Sequence, residues 1–309
     1  MRLKGILLVA GLLAASPAWA QGELDGVAKA IAAACPASEA GTGIPARDAC
    51  AERLGRLAAL QAVSNDSLLW GAATKNDYEP SHNKLTRLDA FVWRKLYLSL
   101  FAFNGTHTVE HLANGDTLLR LDAGIRPIAP EEFPYPFWHS ADKWRDYLQS
   151  RQVGLLFRGG RLIAAYRNAA MDPDKPFTPK TWDGKWTWET DGKQGPRVAL
   201  YTYALSKDNP ARAELEKTYR AFEAESRPYF CTSCHNPANP AATNPLVFFT
   251  HPSQALVARH DIVRKLEANQ MPPPGGIADD KARQKLIEKA RAFAEAGDRA
   301  LAYEKQQAR

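Results

Sequence analysis

The residues best suited to chemistry lie in one short run, Cys231-Thr232-Ser233-Cys234-His235. Two thiols three positions apart can reach the two vinyl groups on one edge of a porphyrin and form thioethers with them. The histidine that follows is then held beneath the iron, where a neutral imidazole nitrogen can coordinate it. This is the spacing of covalent c-type haem attachment. With 4 cysteines and 7 histidines in 309 residues, chance would produce it roughly 0.001 times. Structural zinc would need a second ligand pair, and Cys35 and Cys50 are too widely separated to form a knuckle. A thioredoxin-like dithiol would need a βαβ context, which the helical pattern around residue 231 lacks.

A second axial ligand is expected downstream. Met271 stands in Gln270-Met271-Pro272-Pro273-Pro274-Gly275-Gly276 at the end of a helical stretch. Prolines fix φ, so a thioether presented there is held rather than searching. His251 and His260 compete for the same role, and bis-histidine ligation stays open. The mature chain has one other methionine, Met171.

A second histidine pattern is a decoy. His107-Thr108-Val109-Glu110-His111 matches H-x-x-E-H, a zinc-peptidase signature that works only on a helix. Asn104-Gly105 before it and Asn114-Gly115 after it leave room for barely two turns. Alternation fits better, with His107, Val109 and His111 on one face of a strand. Strand geometry spaces those histidines too far apart for peptidase chemistry. His139, beside Trp138, reads as structural.

These residues need elements to hold them. Leu24 to Cys35 is alanine-rich and helical, and a second helix is expected over Arg47 to Ala62, with Leu54, Leu57 and Leu60 recurring. A Cys35–Cys50 disulfide would tie the two into a hairpin. From about residue 95 to 205 the pattern turns to strands: Leu96, Leu98 and Leu100 alternate, and Asn114-Gly115, Gly159-Gly160 and Asp191-Gly192 mark hairpin turns. The strand pairs expected there are His107–Ala113 with Thr117–Leu121, Val153–Arg158 with Arg161–Tyr166, and Trp186–Glu189 with Val198–Ala204. A Pro-rich loop over 127–136 and a short helix from Ser140 to Tyr147 complete an α+β region with a largely antiparallel sheet. Asp208-Asn209-Pro210 reads as a cap followed by proline at the first helical position, and everything beyond it is helical. The stretch from Leu256 to Ala268 is expected to break near Asp261.

Composition bounds the compartment and the partners. At 309 residues, 45% hydrophobic and 24% charged, the chain is globular and not disordered. Residues 1–20 read as a secretory signal: Arg2 and Lys4, the apolar stretch Ile6 to Ala15, then Ala18-Trp19-Ala20 as a cleavage site. The net charge of +6 falls to +4 once that segment is removed, a mild bias that does not argue for nucleic acid. No later window approaches the roughly 20 apolar residues of a membrane helix, so no span is expected after cleavage. Export to the periplasm also makes a disulfide plausible chemistry for Cys35 and Cys50.

Residues from about 208 to 298 resemble a class I c-type cytochrome: helix, C-x-x-C-H, Pro-bearing loop, helix, Met-Pro-Pro loop, terminal helix. The resemblance implies that the first and last helices cross, with Leu215, Tyr219 and Phe222 facing Phe293 and Gly297. It also implies that the carbonyl of Pro245, in Asn244-Pro245-Leu246, accepts the axial histidine's other ring N–H and so orients it. One departure is Pro228, which separates the first helix from the motif. Residues 21–207 carry no family resemblance.

The organisation expected is therefore a signal peptide (1–20), an α+β region (21–207) and a cytochrome c-like domain (208–309). The function expected is periplasmic electron transfer by one covalent haem c, with iron held by His235 and Met271 and attachment through Cys231 and Cys234. The upstream region would dock an unidentified redox partner protein. Two other readings stand beside it: a haem oxidoreductase subunit with a site between the two regions, and a haem-based gas sensor in which a gas displaces Met271. No acid, base or nucleophile constellation is legible, so a carrier is favoured over an enzyme.

Overall fold

The computed structural model describes residues 21–73, 77–126, 150–169, 189–190, 193–194, 201, 204–235 and 252–307. The first helix, α1 (Gln21–Ala34), buries Leu24, Val27, Ala28, Ile31 and Ala34, the i, i+3, i+4, i+7 stripe of an amphipathic helix. The expected second helix is two: α2 (Gly43–Gly55) and α3 (Ala58–Val63). The break falls after Gly55, where the chain leaves the helix and Leu57 turns extended. Cys35 and Cys50 form a disulfide with their Cα atoms 5.0 Å apart, joining the end of α1 to α2.

A mixed six-stranded sheet follows. Its strands are β1 (Ser64–Ala72), β2 (Thr86–Asp89), β3 (Phe101–His111), β4 (Thr117–Ile125), β5 (Ser150–Arg158) and β6 (Arg161–Ala169), in spatial order β2-β1-β6-β5-β4-β3. Four neighbouring pairs are antiparallel, and β1 runs parallel to β6 with Ser64 opposite Leu162. Gly159 (φ 54°) and Gly160 (φ 75°) make the two-residue turn between β5 and β6, a conformation in which both residues need positive φ.

Asn114-Gly115 does turn the chain between β3 and β4, but in a loop of three. Gly115 N–H donates to the Leu112 carbonyl and Leu112 N–H to the Asp116 carbonyl, with Gly115 at φ 86°. The third expected turn carries only the short pair β7 (Glu189–Thr190) and β8 (Lys193–Gln194). The expected return from Val198 falls mostly outside the described residues, as do the Pro-rich loop and the helix from Ser140.

Leu96, Leu98 and Leu100 do not form a strand. Helix α4 (Ala90–Leu96) occupies the first of them, and a 3-10 turn (Leu98–Leu100) the other two. Asp89 decides this by capping α4, accepting from the Val92 N–H at 3.0 Å. All three leucines are buried together with Ser99, so their alternation marks no solvent face. The strand begins at Phe101, and Phe103 N–H donates to the Cys35 carbonyl, tying β3 to the end of α1.

Beyond residue 205 the described elements are all helical: α5 (Arg212–Ser226), the single turn α6 (Cys231–Cys234), α7 (Pro252–Glu267) and α8 (Asp280–Gln307). The helix expected to open at Pro210 begins two residues later, at Arg212, with Ala211 in the cap position. Asn209 holds the approach to α5, accepting from Ala211 N–H and donating to the Ala300 carbonyl and to Glu304. Helix α7 runs unbroken through Asp261, whose carboxylate pairs with Arg264 one turn on. Asp279 starts α8 by accepting from Lys281 and Ala282 N–H.

One apolar cluster spans both parts of the chain, from Leu24 and Trp93 to Phe222 and Phe293. Helix α7 is the bridge between them. It packs on α8 on one side and on β2 and α4 on the other, which is why eight consecutive residues from Pro252 to Arg259 are buried. Arg259 lies in that seam. Its Nη2 donates to Asp89 at 2.9 Å and to Asp298 at 2.7 Å, and its Nη1 donates to the Leu256 carbonyl.

Candidate functional site

Helix α5 ends at Ser226, and Pro228 sits in a 3-10 turn (Arg227–Tyr229) that separates it from the cysteines. Phe230 then takes a left-handed conformation (φ 58°) and α6 begins at once. A bulky residue at positive φ is rare, and here it reverses the chain so that a fresh helical turn starts on Cys231. Cys231 and Cys234 are the first and last residues of that turn, and neither is disulfide-bonded. His235 closes it, its N–H donating to the Cys231 carbonyl at 3.0 Å. The histidine is 8% exposed, while both cysteines are half-buried. Burial pushes the Cys231 thiol up to about 11, unlike the depressed value of a catalytic redox thiol.

Met271 lies on the loop between α7 and α8, half-buried against the same apolar cluster that receives Cys231. The loop is clasped from both ends. Asn269 (φ 50°) accepts from the Ile277 N–H at 2.9 Å, and Gly276 N–H donates to the Pro272 carbonyl at 2.8 Å. Gln270 N–H donates to the Lys265 carbonyl, and Lys265 Nζ returns a bond to the Gln270 side chain. A methionine presented from so constrained a loop loses little further backbone freedom on binding a metal.

The helices α5 and α8 pack against each other. Tyr219 and Phe222 on α5 meet Phe293 on α8, with ring centroids 5.6 and 5.9 Å apart and the two phenylalanine rings nearly parallel. Gly297 serves a different contact. A Cβ there would come within 2.7 Å of Arg259 Cδ and 2.9 Å of Leu256 Cδ1, so it admits α7 rather than α5.

Comparison with protein-family models, with curated proteins and with solved structures finds no match to this chain. Two half-buried thiols on one helical turn, with a buried imidazole adjoining the second, suit covalently attached haem, and the thioether of Met271 is a donor of the right chemistry for its second ligand. Pro245, expected to orient His235, lies outside the described residues, as does His251. His260 is described: it is exposed on α7, with Nε2 2.9 Å from Asp298 Oδ1.

The other histidine pattern lies on β3, as its alternation predicts. His107 Nε2 is 2.9 Å from Asp25 on α1, and His111 Nδ1 is 3.1 Å from the Thr117 hydroxyl across the hairpin. Each ring is thus engaged with a different neighbour. His139 lies outside the described residues, as does the signal segment. Among the described residues, no helix is long and apolar enough to cross a membrane.

Sequence reasoning passed over two buried arginines, Arg94 on α4 and Arg259 at the seam. Arg259 has no local signal, since its partner Asp89 is 170 positions away. Arg94 had one: Phe91-Val92-Trp93-Arg94-Lys95-Leu96 places two cations inside an otherwise apolar run, and all six residues are buried.

Proposed function

We propose that this chain is an exported c-type cytochrome that carries one covalently attached haem and transfers single electrons to or from a periplasmic redox partner. The observation that carries the reading is the pair of unbridged thiols on the turn Cys231–Cys234, closed by the buried His235. In this reading residues 1–20 direct export, and residues 208–309 form a class I cytochrome domain. Residues 21–207 set partner specificity.

Haem bound there supplies a one-electron ferric/ferrous couple. The chain's contribution is to hold, orient and shield. Cys231 and Cys234 would hold the porphyrin through thioethers. His235, whose backbone is fixed by the bond to the Cys231 carbonyl, would supply an imidazole to the iron, and Met271 would supply a thioether. The Pro245 carbonyl would set the imidazole tautomer. Tyr219, Phe222 and Phe293 form a buried aromatic cluster between α5 and α8; a haem buried against such rings would be shielded from water, which favours the reduced state.

The test is covalent attachment in a host able to mature c-type cytochromes. The expected outcome is one haem per chain that acidic acetone does not extract. Cys231→Ser with Cys234→Ser should then leave a colourless protein. Colour that extracts freely from the unaltered chain would refute the proposal.

The oxidoreductase reading keeps one specific support. A cleft of about 410 Å3 opens at the seam, lined by Ser67, Arg87 and Asp89 from the sheet side and Arg259, His260 and Asp298 from the helices. Rapid carbon monoxide binding by the reduced protein would favour that reading, because a tightly six-coordinate carrier leaves no open iron position.

A further inference from the structure

Two Asn-Gly pairs stand in the sequence, Asn104-Gly105 and Asn114-Gly115, and neither takes part in the haem reading. Asparagine followed by glycine is the pairing in which a side chain most readily reacts with its own backbone. The glycine nitrogen attacks the asparagine Cγ, the side-chain amide leaves as ammonia, and a five-membered succinimide forms. Water then opens that ring at either carbonyl. One opening gives aspartate, and the other gives isoaspartate, in which the main chain runs through the former side chain. Glycine permits the attack because it has no Cβ to hinder the approach. The fold governs the rate through whatever holds the attacking nitrogen and the leaving amide.

The two pairs differ in few respects, so they can be compared group by group. Both asparagines are exposed, and their glycines sit at positive φ, 91° and 86°. Both fold the side chain back on the main chain: Asn104 Oδ1 accepts from the Thr106 N–H at 2.8 Å, and Asn114 Oδ1 from the Asp116 N–H at 3.0 Å. That bond steadies the negative charge that builds on Oδ1 during attack. The remaining groups separate them. At the second pair the attacking nitrogen is committed, because Gly115 N–H donates to the Leu112 carbonyl at 2.9 Å. The leaving amide is committed too, since Asn114 Nδ2 donates to Glu79 at 3.3 Å and to Asp116 at 3.2 Å.

Asn104 Nδ2 donates to no group among the described residues. Its glycine lies where the ladder between β3 and β4 slips. The register passes from Phe103 opposite Ala123 to His107 opposite Leu121, which sets Asn104, Gly105 and Thr106 against Asp122 alone. Such a bulge disrupts the ladder locally and leaves the extra residues without paired positions, so their peptide planes can turn. A Cβ placed on Gly105 would meet nothing within 4 Å.

We infer that Asn104-Gly105 is a site of spontaneous deamidation, and that the turn holding Asn114-Gly115 protects the second pair. The product carries a carboxylate on β3 next to Gly105, whose carbonyl oxygen lies 3.3 Å from His107 Nδ1. The other nitrogen of that ring, Nε2, meets Asp25 on α1. The new negative charge therefore arises beside the contact that ties the first helix to the sheet.

The experiment ages the full-length protein at mildly alkaline pH, with a parallel set in concentrated urea. Conversion at positions 104 and 114 is followed in the same digests by mass spectrometry, with fragmentation that separates aspartate from isoaspartate. In the folded protein Asn104 should convert several-fold faster than Asn114 and give both products. In urea the two rates should draw level, because each asparagine then has only its glycine to decide the rate. Equal rates in the folded protein, a faster Asn114, or no conversion at Asn104 would overturn the inference. The same ratio persisting in urea would overturn it as well, since flanking sequence and not the fold would then set the difference.

Discussion

Removing the cation at the seam tests how firmly the two parts of the chain depend on one another. In Arg259→Met the aliphatic stem is retained and the guanidinium is lost. Three acceptors then go short: Asp89, Asp298 and the Leu256 carbonyl. They do not weigh equally. The Asp298 side chain is 47% exposed, so water replaces what it loses and its share falls to the surface scale of about 0–1 kcal/mol. The Asp89 side chain is 3% exposed and keeps only its cap bond from Val92. Stranding one member of a buried pair costs about 3–5 kcal/mol, and Asp89 is the stranded member here. That is a large share of the roughly 5–15 kcal/mol that holds a domain folded.

Urea unfolding should show a lower midpoint at unchanged slope, in one transition followed alike by tryptophan fluorescence and helical circular dichroism. The sheet and the C-terminal helices should lose stability together. Adding Asp89→Asn to Arg259→Met should recover part of the loss, because asparagine still caps α4 and carries no charge to strand. The reasoning fails if Arg259→Met costs less than about 1 kcal/mol, or if the second substitution recovers nothing. Two separated transitions, with only one displaced, would show that the halves fold independently.

Met271→His should keep the haem covalent and lower the reduction potential, since imidazole favours ferric iron more than a thioether does; an unchanged potential and spectrum would move the sixth ligand elsewhere. Cys35→Ser with Cys50→Ser should cost about 3 kcal/mol by the chain-entropy estimate for a loop of this size, read as the difference between melts of the variant and the oxidised parent. In Gly297→Ala a gain of about 1 kcal/mol in helix propensity meets an overpacking cost of about 1–3 kcal/mol against Arg259 and Leu256. The net is expected to be destabilising, because Arg259 is pinned and cannot swing aside. A thermal melt that rises would show that α7 can give way.

What the sequence disclosed was what short segments decide alone. Gly159-Gly160 fixed a hairpin because both residues take positive φ, and the alternation from His107 to His111 marked a strand despite its helical-looking motif. The two cysteines of the motif bound one helical turn because their spacing of three is close to the 3.6-residue period, and the histidine follows as its cap. Features set by distant partners were not legible. Leu96, Leu98 and Leu100 alternate like a strand, yet a carboxylate seven residues before the first of them starts a helix. The parallel pairing of β1 with β6 leaves no trace in either strand. Arg259 looks like a surface cation until α7 is laid over β2 and α4.

The place of β1 bears on how the molecule is made. One neighbour, β2, is close in sequence, while the other, β6, supplies Leu162 opposite Ser64. A chain that emerges N-terminus first therefore presents β1 and β2 as a ribbon with an open hydrogen-bonding edge long before β6 arrives. Buried Leu68 and Trp70 are exposed throughout that wait. Pairings this remote raise contact order and slow folding, and an unpaired apolar edge invites pairing with other chains. Asp89 waits longer still, because Arg259 is made near the end. The protein should thus depend on being kept apart from its own copies until synthesis is complete, and chains cut short before α7 should be drawn into aggregates instead of yielding a folded sheet.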